Sequence, residues 1–312
     1  MQGETGKGRT VFQQVCFALA TGHLLGAAVP ARAASISLPP VADTSLIAGF
    51  PDNNLGANSN LVAGVNGSGF PGRALLRFDP AASIPPNAVI LSASLTVTVV
   101  IVPGGGGVDS NFDLRRVLTS WGEGSGTGNS GAPAEPGEAT WNSHAHPDLT
   151  WSTPGGTISN DFSGAVSATT LLGGPGRYVF ASSPGLVADL QNWLARPTAN
   201  FGWVLLSEAE NTSFTARRIG AQEDSAARPL LQVQYVVPGT VEIHRLSGTS
   251  NGLQLRIDVA PGQSNSVQYS ETLQPAHWAL LTNLPPVMTR TNVTVEDLWT
   301  GNQNRFYRLM AY

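Results

Sequence analysis

Arginine, tryptophan and clustered Asp and Asn residues carry most of the chemistry this sequence could perform. Arg73, Arg77, Arg115, Arg116, Arg217 and Arg218 fall on strand-like segments. A guanidinium presents a planar fork of donors that grips a carboxylate with paired hydrogen bonds. Side chains alternate along a strand, so only one of each adjacent arginine pair can face a given side. Trp121, Trp141 and Trp151 lie in or beside long loops, where a ring can stack on the apolar face of a sugar. Trp193 and Trp203 sit in apolar runs and read as core. Arg73, Arg77, Arg115, Arg217, Trp121 and Trp141 are therefore the candidate glycan contacts. The plainer reading of the same arginines is a set of separate solvated or salt-bridged strand positions.

Oxygen donors cluster near Asp43, Asp52, Asn53 and Asn54, and Asp109 and Asp113 flank another strand. Calcium takes six to eight oxygens, so Asp43, Asp52 and Asn54 are candidate ligands of a structural calcium. The competing reading is that they build turns by bonding their own backbone. His144 and His146 could share a metal if extended, but no third ligand is near and Pro147 favours a solvated loop. Glu123, Glu135 and Glu138 lie in one Gly-rich loop that fixes no catalytic separation. The sequence carries no nucleophile elbow, no H-E-x-x-H and no P-loop. These features point to a protein that binds without catalysing.

The surrounding chain has 312 residues, of which 12% are charged, about half the share of about 25% usual in globular proteins. Its 35 Gly and 22 Pro favour many turns. With Lys+Arg 17 against Asp+Glu 21, no basic footprint for nucleic acid is present. A coiled coil is excluded by the missing heptads, and disorder throughout by the 41% apolar residues. Residues 1–33 read as an export signal. Lys7 and Arg9 come first, an interrupted apolar stretch follows, and Ala31-Arg32-Ala33 suits cleavage after Ala33. Cleavage would remove Cys16, the one cysteine, and take the net charge from −4 to −6. No later apolar run is long enough to span a membrane.

In Leu91–Val99, Leu91, Ala93, Leu95, Val97 and Val99 alternate with Ser and Thr, the pattern of a half-buried strand. Further strands are expected at Gly72–Phe78, Phe112–Val117, Arg177–Phe180, Phe201–Ser207, Ser213–Ile219 and Leu230–Val236. One helix is expected over Gly185–Arg196, with Leu186, Leu190, Trp193 and Leu194 on one face and Pro197 as its stop. The expected fold is all-β, a jelly-roll β-sandwich with one short helix over 34–238. A composition shift near Val237-Pro238-Gly239 introduces a small fibronectin type III-like β-sandwich over 239–312.

Several stretches also share an order. They are Ala42-Asp43 with PDNNLGANSNLVAG (51–64), RALLRFD (73–79), IPPNAVILSASLTV (84–97), SWGEG (120–124), ATWN (139–142), ADLQNWL (188–194), NFGWVLLSE (200–208) and RPLLQVQY (228–235). In this order residues 42–236 resemble the DNRLRE domain, which is classed as a carbohydrate-binding module; the naming hexapeptide is absent. The tail, with SVQYSETLQPAHWALLTNL (266–284) and RFYRLMAY (305–312), resembles a terminal β-module of bacterial secreted proteins. The resemblance implies a secreted or cell-surface jelly roll whose relatives include binders of uronic-acid polymers. The expectation is a secreted, non-catalytic protein whose partner is an acidic polysaccharide. A structural or adhesive surface protein competes with it, and a polysaccharide lyase is a third reading.

Overall fold

The computed structural model describes residues 33–237, 242–249, 252–260, 264–272, 277–287, 291–298 and 305–311. The chain forms two compact units, Ala34–Tyr235 and another that contains Val236–Tyr312. The expected export segment lies outside the described residues except for Ala33.

The first unit contains β1 (Ala34–Leu38), β2 (Ala42–Ile47), β3 (Asn53–Asn54), β4 (Asn60–Val65), β5 (Pro71–Arg77), β6 (Val89–Ile101), β7 (Ser110–Arg116), β8 (Ala132–Pro133), β9 (Ser143–Ala145), β10 (Leu149–Thr150), β11 (Ala168–Leu172), β12 (Gly176–Phe180), β13 (Trp203–Ser207), β14 (Arg217–Gly220) and β15 (Leu230–Val236). One antiparallel layer holds β12, β6, β14, β15 and β1, and the other holds β2, β5, β13, β7 and β11. Strand β4 belongs to both. Its Leu61–Ala63 pair with β14, whereas Gly64 and Val65 pair with Gly72 and Pro71 of β5. This crossing curls the sheets into a sandwich of jelly-roll type, the expected class.

The inner faces meet in a core that includes Leu76, Phe78, Leu95, Val97, Phe112, Trp203 and Ile219. Burying each such side chain contributes roughly 1.5–3 kcal/mol. Along β6, Ala93, Leu95, Val97 and Val99 turn inward as the alternation requires, but Ile90 takes the buried place expected of Leu91. The one α-helix among the described residues, α1 (Pro184–Ala195), starts where the Ser183 hydroxyl accepts from the Leu186 amide at 3.1 Å, with Pro184 in its first turn. Its buried Trp193 ring lies 4.5 Å from that of Trp203. The strand expected over Ser213–Ile219 is shorter, because Phe214 adopts a left-handed backbone with φ 66°.

A further layer covers the outer face of the β2–β5–β13–β7 sheet. Val117, Trp121, Ala139, Trp151 and Phe162, from the excursion between β7 and β11, bury Ala42, Leu46, Leu75, Val204 and Leu206.

The second unit contains β16 (Glu242–Thr249), β17 (Gly252–Val259), β18 (Asn265–Ser270), β19 (Ala279–Leu284), β20 (Thr291–Asp297) and β21 (Phe306–Ala311). These form two three-stranded sheets, ordered β16-β17-β20 and β19-β18-β21. Leu255, Ile257 and Val259 alternate into a small core with Val267, Leu284 and Val295. No helix among the described residues is long and apolar enough to cross a membrane.

Candidate functional site

The cross-strand register puts Arg73 and Arg77 of β5 and Arg115 of β7 on one face of the same sheet. That face is roofed rather than open, and the arginines hold the roof. Arg73 makes a paired contact with Glu210, at 2.8 and 2.6 Å, and donates to the Gly155 and Gly156 carbonyls. Its guanidinium also lies 5.5 Å from the centre of the Trp141 ring. Arg115 bonds the Gly164 carbonyl at 2.7 Å and Asp113 at 2.8 Å. The Arg77 guanidinium rests on Trp121 at 5.4 Å and makes no hydrogen bond among the described residues. Trp121 is buried, with its indole N–H donating to the Phe201 carbonyl at 2.8 Å, and Trp141 is half-buried under Arg73. These rings pack the roof and present no open sugar platform.

Arg217 corrects the expectation most sharply. It is 0% exposed. Its nitrogens donate to the carbonyls of Gly173, Phe214, Thr215, Ala216, Val108 and Leu172, and to Asp109. It ties three loops together inside the molecule and leaves nothing for a ligand.

The expected calcium ligands also have other work. Asn54 is fully buried, and its amide nitrogen donates to the Glu123 and Ala139 carbonyls while its oxygen accepts from the Gly56 and Gly126 amides. Asp52 accepts from Asn142 at 2.8 Å. Asp43, buried on the edge strand β2, accepts from the Gln222 amide at 2.8 Å, and its own N–H donates to a Glu123 carboxylate oxygen at 2.8 Å. Burial chiefly, then the charges of Glu223 and Glu123, push the Asp43 carboxyl up to about 8, against the pull of the Gln222 amide. Burial also raises Glu123. Among the described residues no group of three or more His, Cys, Asp or Glu is arranged to hold a metal ion, and both polar atoms of the Asn54 amide are committed to backbone partners. His144 bonds the Ser120 carbonyl and packs on Trp151, as part of the roof.

An open groove of about 540 Å³ lies instead where β4 crosses between the sheets, lined among others by Phe50, Phe70, Ile101, Asn66, Asn129 and Arg218. Phe50 is 47% exposed and Phe70 49%. The Asn66 side chain builds the β4–β5 turn by accepting from the Ser68 and Phe70 amides at 2.9 and 3.0 Å, and so displays Phe70 at the hairpin tip. Phe50 projects from the turn that follows β2, closed by its amide on the Ile47 carbonyl. Arg218 stands between Val62 of β4 and Ile101 of β6, on the face opposite to Arg217. It is the one charged residue of the lining, and its guanidinium has no hydrogen bond or ion pair among the described residues. Two displayed rings and an uncommitted guanidinium can stack apolar surface and hold an anionic or hydroxyl-bearing ligand.

No family model matches the chain, and no curated protein matches it. The sequence held one pointer to the groove, Asn66-Gly67, the dipeptide most typical of hairpin turns. Nothing in it distinguishes the exposed Phe50 and Phe70 from core phenylalanines.

Proposed function

We propose that the protein is a secreted, non-catalytic polysaccharide-binding module that holds its ligand in the groove at the β4–β5 corner. The observation that carries this reading is the pairing of Phe50 and Phe70 with the unpaired Arg218 in a groove without acidic lining. Rings take the apolar faces of pyranoses, and Asn66, Ser68 and Asn129 offer polar partners for hydroxyls. In a chain of net charge −4, a groove whose one charge is positive complements an acidic sugar. The ordered motifs that resemble the DNRLRE domain support a carbohydrate ligand, and the Lys7/Arg9 start with Ala31-Arg32-Ala33 supports export.

Calorimetric titration of the full chain with alginate, polygalacturonate and a neutral β-glucan tests the reading. The expected affinity is roughly micromolar to millimolar, because sugar sites are shallow and wet. Phe70→Ala weakens it about threefold to tenfold. Arg218→Ala removes both the preference for acidic glycan and the weakening by salt. Exported material begins at Ala34 on N-terminal sequencing. Binding to no glycan would leave the adhesive reading standing, and unsaturated sugars accumulating with time would establish a lyase.

A further inference from the structure

Resting on the glycan reading above, we infer that Phe214 is an additional stacking platform that extends the groove by one sugar subsite past the Asn66–Phe70 turn. Its backbone has φ 66°, a conformation that a bulky side chain rarely adopts and that glycine takes freely. The surroundings fix it there. The Phe214 carbonyl accepts from the Val108 amide at 2.9 Å, and its own amide donates to the Asn66 carbonyl at 3.4 Å. The buried Arg217 holds the next two carbonyls, of Thr215 and Ala216, at 3.0 Å each.

This constraint does not serve burial, since the ring remains 40% exposed. One ring edge lies against Gly67, where a Cβ atom would come within 2.8 Å of it. Gly67 lines the groove, and so do Ala216 and Arg218 just downstream of Phe214. The ring therefore adjoins the groove where the hairpin turn lines it, at Gly67. Strain that displays an aromatic ring beside a binding groove marks a functional position. A polysaccharide repeats its apolar faces along the chain, so a platform beside the turn engages only ligands long enough to reach it.

The experiment uses the full chain with the glycan that binds best among alginate, polygalacturonate and β-glucan, supplied as its disaccharide and its hexasaccharide. In Phe214→Gly the relieved backbone offsets the added chain entropy, so the melting temperature stays near that of the wild type. Hexasaccharide binding weakens about threefold to tenfold while disaccharide binding is unchanged. Phe214→Trp keeps the wild-type length dependence, and Phe70→Ala weakens both ligands. Unchanged hexasaccharide affinity in Phe214→Gly, or equal loss for both ligands, overturns the subsite and leaves the glycan reading intact. Failure of the wild type to bind any of the three glycans overturns both.

Discussion

Asp43 is a carboxyl withdrawn almost wholly from water. Its carboxyl sits where β2, the Glu123 loop and the Gln222 loop meet, and burial pushes it up to about 8 from an ordinary 3.8. The unfolded chain releases this proton near the ordinary value, whereas the folded protein keeps it until about 8. Folding therefore holds an extra proton between those values. The Asp43 contribution to stability is fully present below about pH 4, falls as pH rises toward about 8, and then levels off. Glu123, also raised, acts in the same direction. At Asp161 burial is outweighed by the Ser152 and Thr157 hydrogen bonds, which hold the carboxyl below the ordinary range, so it contributes in the opposite direction at acid pH. Asp43→Asn removes the charge yet keeps an oxygen for the Gln222 amide. It is expected to flatten the decline and to melt above the wild type at about pH 9. Thermal melts across this range check it, and a variant less stable than wild type at the alkaline end would contradict it.

Among the elements, the roof over the second sheet depends on one side chain more than on any regular structure. The loop between Gly122 and Gly137 wraps around Asn54 so closely that a Cβ at Gly124 would lie 2.4 Å from the Asn54 side chain, and one at Gly126 only 2.1 Å from its carbonyl oxygen. The loop is glycine-rich here because nothing larger fits. Asn54→Ala strands two carbonyls and two amides in the interior and is expected to cost about 3–5 kcal/mol. Asn58→Ala gives up a single exposed bond, to the Gly128 carbonyl, and is expected to cost less than about 1 kcal/mol. Urea denaturation of the pair, with unchanged slope, measures the contrast. Equal small losses would mean that the roof does not depend on Asn54.

At the scale of the whole molecule, each unit has its own core, and none of the core cluster of the first unit is drawn from beyond Val233. Residues 34–237, which keep β15 whole, are expected to fold alone with β-type circular dichroism and one cooperative melt and, on the proposed reading, to bind glycan as the full chain does. The smaller unit, of a size whose core is thin, is expected to melt at a lower temperature alone. An insoluble larger fragment, or one that has lost the affinity, would show that the units depend on each other.

The sequence alone determined much of the architecture. Period-2 runs such as Ala93–Val99, and the Leu186/Leu190/Trp193/Leu194 stripe closed by Pro197, impose strand and helix because local geometry dictates which side chains share a face. The same rule separated Arg217 from Arg218 and put Arg73 and Arg77 on one side of β5, whereas only the pairing of β5, β13 and β7 brought Arg115 to that side. Strand β2 lacked a clear alternation because both of its faces are covered, one by the core and the other by the roof. Which face stays in water is not a local property. An arginine on a strand reads the same whether a roof clamps it, as with Arg73, a set of loop carbonyls swallows it, as with Arg217, or a groove leaves it open, as with Arg218. Only the tertiary structure decides among these, because exposure depends on segments distant in sequence. Here the Val117–Phe162 excursion closes the sheet face, and the crossing of β4 opens a groove beside it.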